Sequence, residues 1–403
     1  MDSLTQVVLG AGIQGALLGR WQGRKALLYG GLLGTLPDMD VLIDYGDAVA
    51  DMTYHRGFSH SLLVLSAVAI VLTLLIRRFA PNPGYSGKRL LLTLWLVLAT
   101  HPLLDSFTSY GTQLFWPLTP TPTAWSSIFI IDPLYTLPLL AAMALGLIYG
   151  LKGRFAKAPA IALALSTAYL ASTVVGKDVA EHRVEAQLAK QGIQAEQIFS
   201  SPTPFNSLLW RVMVLDGDDY YEALSGWFDH SPPVLERISR GTQLAEALKD
   251  SPAHARLAWF TDGLLRYDRI DGHRMVGHRL DGHRGDAHRL DGHRMVGQRG
   301  DSRTDSNLAA DGLSDDRQKE AESYLIVTDL RLGMTGFHPF RFDFAHWQNG
   351  QWQLQSAVER WPVARGDLDR LELLWTRIWH PETPVPLAAW ASELAKPLIS
   401  QTR

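Results

Sequence analysis

Three short segments of this chain carry residue types that hold metal ions. Pro37-Asp38-Met39-Asp40 sets two carboxylates two positions apart. Tyr54-His55-Arg56-Gly57-Phe58-Ser59-His60-Ser61 brings two imidazoles around an arginine and a glycine. His101-Pro102-Leu103-Leu104-Asp105 spaces an imidazole and a carboxylate four apart, so on a helix they share one face. The chain has no cysteine, which leaves imidazole and carboxylate as the ligands for any ion. The expected cofactor is a divalent metal, zinc or manganese, as one or two ions. Asp40, His55, His60, His101 and Asp105 are the expected ligands, and Asp38, Asp40 and Arg56 the expected catalytic groups. Arg56 suits a phosphate or carboxylate clamp. Gly57 is expected to supply the tight turn between the histidines, and the alternating Asp38 and Asp40 suit an extended or turn segment. Six candidates exceed the three ligands plus water of a catalytic zinc. Either a carboxylate bridges two ions, or one carboxylate acts as base while another orients a histidine. Asp132-Pro133 reads as a helix N-cap followed by a first-position proline, not as a ligand.

These residues are scattered, so apolar elements must bring them together. Ser61–Ile76, Leu90–Leu104, Ile128–Leu151 and Pro159–Gly176 read as membrane spans, some at the short end of the range. Leu4–Gly19 and Ala26–Leu36 are shorter and glycine-rich, which suits a tight helical hairpin. The expected fold class is an α-helical membrane domain of about six apolar helices, two of them short, followed by a β-rich α+β extramembrane domain. If all six segments cross, Arg20, Arg24 and Lys25, then Arg77, Arg78, Lys88 and Arg89, then Lys152, Arg154 and Lys157 fall on one side. The excess of cytoplasmic Lys and Arg makes that side internal. The segments bearing the six candidates then face outward together.

At these residues the chain resembles the bacterial inner-membrane metal-dependent hydrolases, which include a LexA-regulated member of enteric bacteria. The motif string is Pro37–Asp40, His55–Ser61, His101–Asp105 and Gly111–Pro117 (Gly-Thr-Gln-Leu-Phe-Trp-Pro), and it covers roughly residues 1–176. In longer members it extends through Ser201–Asn206 and Leu209-Trp210-Arg211. The resemblance implies metal-dependent hydrolysis and an inner-membrane location, and carries no substrate. This chain departs from the pattern at Thr5-Gln6, where many members have Thr-His. Either the ion has one protein ligand fewer, or Gln6 orients a water; Asp2 lies close by.

Residues 1–176 form the expected membrane-embedded domain and 177–403 the extramembrane one, expected to be periplasmic. Lys177–Gln191 reads as a helix continuing outward. Leu208–Leu215 and Asp219–Trp227 flank Asp216-Gly217-Asp218 as a hairpin. Phe340–His346 and Trp352–Val358 alternate around Asn349-Gly350, a strong hairpin signal. Ala255–Arg269 and Ser323–Leu332 read as strands that pair. Between them, 271–320 is expected to be a low-complexity, disordered insertion: Asp-Gly-His-Arg recurs at 271, 281 and 291. Lys and Arg number 38 against 41 Asp and Glu, which offers no basis for nucleic-acid binding. The expected partners are the lipid bilayer and a small-molecule or lipid substrate. The leading reading is metal-dependent hydrolysis of a phosphoester or related bond in a lipid or envelope substrate. The competing reading is a non-enzymatic metal-binding scaffold or sensor whose outer domain binds a partner.

Overall fold

The structure is a computed structural model that describes residues 1–271, 323–363 and 368–396. The Asp-Gly-His-Arg repeat, expected as an insertion over 271–320, lies outside the described residues apart from Asp271.

The N-terminal region is helical: α1 (Ser3–Gln22), α2 (Lys25–Gly34), α3 (Ala48–Tyr54), α4 (Leu62–Phe79), α5 (Gly87–Ser106), α6 (Pro133–Tyr149) and α7 (Ala158–Gln191). Helix α1 lies at the centre, packed against α2, α5, α6 and α7. Glycines permit its contact with α2: a Cβ on Gly10 would fall 2.3 Å from the Gly30 carbonyl oxygen, and one on Gly30 equally close to that of Gly10. The expected glycine hairpin is therefore present.

Helix α4 and the segment Gly153–Gln191, which contains α7, are long and apolar enough to cross a membrane. Only 17% and 22% of their apolar windows are buried, so most of that surface faces outward. Six crossings are not established by helix length. Helix α2 has 10 residues and α6 has 17, beginning at Pro133 and not at Ile128 as the apolar run suggested. Helix α5 gives its last turn to polar site residues. The basic turns do meet at one end of the bundle. The Arg89 guanidinium lies 4.7 Å over the Trp21 ring, and Arg24 donates to the Ile148 carbonyl at 2.7 Å. Gly34, His60 and His101 converge at the other end.

Helix α7 continues unbroken through Lys177–Gln191, as the polar continuation predicted. Its Ala180, Val184 and Leu188, four residues apart, bury one stripe against Trp210, Val212 and Val214. Those residues belong to a sheet of consecutive antiparallel strands: β1 (Gln197–Pro202), β2 (Leu209–Asp216), β3 (Asp219–Gly226) and β4 (Glu236–Ser239). Helix α8 (Pro252–Thr261) leads to a second such sheet: β5 (Leu265–Asp271), β6 (Ser323–Asp329), β7 (Arg341–Gln348) and β8 (Gln351–Arg360). Helices α9 (Leu368–Trp379) and α10 (Leu387–Ser392) follow.

The β7–β8 hairpin turns on Asn349 and Gly350, both at positive φ (53° and 79°), with Gln348 opposite Gln351. That is the two-residue turn Asn-Gly favours. The expected strand Ala255–Arg269 is corrected: its first half is α8, capped by Ser251 with Pro252 in the first turn, and only Leu265 onward pairs with β6. The C-terminal domain seats on the helical region through a shared core. Val49 and Met52 of α3 and Tyr110 pack with Leu257, Phe260, Leu325 and Phe342.

Candidate metal centre

Four side chains from three elements converge where the bundle meets the C-terminal domain. Asp38 comes from a 3-10 turn, Pro37–Leu42, that follows α2 directly. His60 ends a second 3-10 turn, Phe58–His60, and Ser61 (not a histidine) caps α4 after it. His101 and Asp105 share a face of α5 despite Pro102, because that proline leaves the last turn helical. His60 Nε2 lies 3.4 Å from Asp38 Oδ1 and 3.2 Å from Asp105 Oδ2. His101 Nε2 lies 3.3 Å from Asp38 Oδ1 and 3.5 Å from Asp105 Oδ2. Ligands held at about 2.1 Å around one ion stand about 3.4 Å apart at the edges of a tetrahedron, so these spacings fit a zinc-sized cation. Asp38, His60, His101 and Asp105 thus form a cluster that could hold a metal ion.

The partners of the imidazoles strengthen that fit. His101 Nδ1 donates to the Gly34 carbonyl at 2.6 Å. His60 Nδ1 donates to Ser59 Oγ at 2.9 Å, and Ser59 in turn donates to Asp40 Oδ2. Each ring therefore spends its Nδ1–H away from the centre and aims an Nε2 lone pair into it. His60 Nε2 and Asp105 Oδ2 are buried without a hydrogen-bond partner. Buried polar atoms are rarely left so, and lone pairs facing carboxylates repel unless a cation lies between them.

Asp40 and His55, expected as ligands, stand outside this cluster of four. Asp40 is nearly buried and organises the approach: it accepts from His55 Nδ1 at 2.8 Å, from the Arg56 backbone N–H at 3.1 Å, and from Ser59. Burial pushes its carboxyl pKa up, but the His55 and Ser59 contacts hold it below the usual carboxylate range. Arg56 clamps a carboxylate: its Nε lies 3.3 Å from Asp105 Oδ2, its guanidinium sits 4.8 Å over the Tyr110 ring, and it donates to Thr108 Oγ1. The tight turn falls on Arg56, at φ 62°, and not on Gly57. A bulky residue holds that conformation only when its surroundings over-determine it. Here the Asp40 carboxylate fixes its N–H, and Gln113 N–H donates to its carbonyl at 3.0 Å. Gly57 is needed for space, since a Cβ there would meet the Tyr54 carbonyl oxygen at 2.8 Å.

Gln6 donates through Nε2 to Asp105 Oδ1 at 3.0 Å and to the His101 carbonyl at 3.2 Å. The Met1 amino group also contacts Asp105 Oδ1. Both hold one oxygen of Asp105 and leave the other for the centre. Asp2 caps α1 through the Thr5 N–H and stays out of the cluster. Asp132 caps α6 as read, and also accepts from the Tyr169 hydroxyl of α7 at 2.8 Å. Sequence reasoning missed Ser59 and Tyr110. Ser59 had a signal, since it immediately precedes His60. Tyr110 had none: its ring edge meets His55, Phe260 and Phe340 at 5.7–5.8 Å, contacts that cross the whole chain.

Beyond His55 and Asp40 a cavity of about 550 Å³ opens outward, lined also by Tyr110, Phe340 and Arg360. The side chain of Asp38 is 21% exposed, whereas those of His60, His101 and Asp105 are closed off.

Residues 1–180 match the family described as YdjM inner membrane protein, a span that contains every residue of the centre. An uncharacterized protein YfhP of Bacillus subtilis (strain 168) is 26% identical over 231 residues, covering 55% of this chain and 67% of that protein. The inner membrane protein YbcI of Escherichia coli (strain K12) is 37% identical over 93 residues, covering 23% of this chain and 52% of that protein. The chain therefore matches about half the length of the Escherichia coli relative. No solved structure matches. The helical region that builds the centre is thus similar to a family of inner membrane proteins, which supports an inner-membrane location for this chain.

Proposed function

We propose that the chain is a membrane-bound metal-dependent hydrolase acting on a phosphoester or related bond of a lipid or envelope substrate. One observation carries this reading: two imidazole lone pairs and two carboxylate oxygens face one another at ligand spacing in a buried cluster, and one of the four, Asp38, is reachable from outside. A divalent cation there, zinc or manganese, would supply Lewis-acid polarisation of the reacting oxygen and acidification of water. His55 stands at the cavity wall with its Nδ1–H on Asp40, so its Nε2 is the free base. It takes a proton from the attacking water, the phosphorus–oxygen bond to the leaving group breaks, and the proton returns to the departing oxygen. Asp40 orients His55, as a carboxylate orients histidine in a triad. Arg56 and Gln6 hold Asp105 in place. The basic end of the bundle faces the cytoplasm in this reading, and the centre and the outer domain face the periplasm.

The scaffold reading retains one supporting observation. Four protein ligands already complete a tetrahedral zinc, as structural sites do. Catalysis then requires Asp38 to yield its position or the ion to expand its shell.

Full-length protein purified in detergent is assayed for bound metal and for turnover of phosphoester lipids. His60→Ala and Asp105→Ala lose the metal. Asp38→Asn keeps much of the metal and loses turnover. Unchanged metal in the first two variants would remove the site assignment, and metal loss with no turnover in the wild type would favour the scaffold. A reporter fused after Gly176 is active only outside the cytoplasm; cytoplasmic activity reverses the orientation.

A further inference from the structure

Helix α9 is apolar on two sides. Leu374 and Ile378, four residues apart, are buried against Leu209, Leu224 and Trp390. Leu368, Trp375 and Trp379, at spacings of seven and four, share another face. That face is open: the two indoles are 53% and 52% exposed, and Leu368 more so. A contiguous exposed patch of large apolar side chains marks a contact surface.

The patch runs into the open surface of the helical region. The Phe228 ring stacks on Trp379 at 5.5 Å, and Trp379 meets Trp375 at 6.1 Å. Trp375 and Leu371 face Phe205 across a groove of about 280 Å³. Phe205 in turn meets Phe129 edge-on at 5.4 Å. Phe129 leads into Ile130, Ile131 and Leu134, all exposed, where α6 begins. On the other flank Trp227 packs on α7: a Cβ on Gly176 would fall 3.1 Å from its indole ring. Its Nε1 donates to the Ser207 carbonyl at 3.1 Å. Gly176 is where α7 turns polar, and Val174 and Val175 just before it are exposed. Only 22% of the apolar window in the Gly153–Gln191 segment is buried, so the patch continues the surface that a membrane span turns to lipid.

The charges near the patch suit the headgroup layer. Arg377 is turned inward onto Asp229, at 2.6 and 2.8 Å, and Arg370 onto Glu393. Asp369 and Glu372 are exposed. Carboxylates stay hydrated, so α9 would lie at headgroup level while its indoles reach inward, the depth that tryptophan favours. With both arginines of α9 paired, the attraction is apolar and aromatic, and calls for no anionic lipid.

We propose that α9 and the adjoining Trp227-Phe228 turn form an interfacial anchor, which seats the C-terminal domain on the lipid headgroups of the membrane that holds the helical region. The anchor goes beyond the hydrolase reading and rests on membrane residence alone. It holds the C-terminal domain at a second place, apart from the protein core at α3 and Tyr110.

The chain has no cysteine, so one introduced cysteine carries a nitroxide label at a single site. The full chain is reconstituted in phosphatidylcholine nanodiscs at one chain per disc. Collisions of the label with oxygen, which concentrates in lipid, are compared with those of a water-soluble nickel chelate. Leu74→Cys on α4, exposed on a candidate span, reports membrane residence by a high oxygen-to-nickel ratio. Leu368→Cys gives a high ratio as well. Lys190→Cys, about 21 Å beyond Gly176 along α7, gives a low one. Adding Trp375→Ser and Trp379→Ser to Leu368→Cys lowers its ratio to that of Lys190→Cys, whereas adding Trp375→Tyr and Trp379→Tyr keeps it high. Bound metal stays at the wild-type level in both. A high ratio at Leu74 with a low one at Leu368 overturns the anchor and leaves membrane residence standing; low ratios at both overturn the two together. A high ratio that survives the serine pair removes the tryptophans from the anchor. Shielding of Leu368 only in discs that hold two chains makes the patch a contact between copies and overturns the assignment to lipid.

Discussion

At the residue scale, the centre separates candidate ligands from the groups that hold them. Asp105 has one oxygen in the cluster and the other held by the Gln6 amide together with the Met1 amino group. Gln6→Leu keeps the volume and removes the donor. Metal affinity then falls about 10–100-fold, the usual effect of losing an outer-shell partner. Metal titration by calorimetry, with helicity followed by circular dichroism, checks this; unchanged affinity would show that Met1 and Arg56 suffice to position the carboxylate. Asp38, Asp40, His55 and His60 were all legible as candidates from residue type. Their division into ligand and holder was not, because aspartates two positions apart look alike until the 3-10 turn points one at the cluster and the other at His55 and Ser59.

At the element scale, α1 and α2 place Gln6 and Asp38 only because they approach closely. Gly30→Ala puts a methyl against the Gly10 carbonyl oxygen, where no flexible side chain can give way. The expected cost is about 1–3 kcal/mol, as for other overpacked contacts. A thermal scan in detergent should show a lower Tm together with weaker metal binding, since Asp38 follows α2 by only a few residues. An unaltered Tm would mean the hairpin opens without consequence. The glycine run announced this contact in the sequence. Helix α8 also had its signal, Ser251 followed by Pro252 and then the helix formers Ala253, Ala255, Arg256, Leu257 and Ala258.

At the scale of the whole molecule, the two sheets meet over a buried polar layer. The Arg211 guanidinium of β2 donates to the Leu330 carbonyl next to β6 at 2.7 Å and pairs with Glu222. His338 is buried in this layer, donating to the Leu332 carbonyl at 2.9 Å. Burial, and then the charge of Arg211, hold its pKa well below the ordinary histidine value; Arg341 and Arg266 add to this. The folded protein keeps His338 neutral, while the unfolded chain takes up a proton below about pH 6.5. Stability is thus full above that pH and falls as pH drops below it, by about 1.4 kcal/mol per pH unit for one proton. His338→Asn should flatten the profile of unfolding midpoint between pH 5 and 6.5; an equal slope in both proteins would place the titration elsewhere.

The sequence alone determined whatever depends on neighbours along the chain. His101 and Asp105 share a helix face because four residues make about one turn. Asn349-Gly350 turns a hairpin because both residues tolerate positive φ. Lys177–Gln191 prolongs α7 because nothing in it breaks a helix. The tertiary structure decided what depends on distance through space. It set Asp40 and His55 beside the cluster and not in it, and gave Gln6 to Asp105. It also brought Arg360 and Phe340 to the cavity that opens from His55. Those contacts join segments far apart in the chain, and the packing of α3 and Tyr110 against the C-terminal domain brings them within reach.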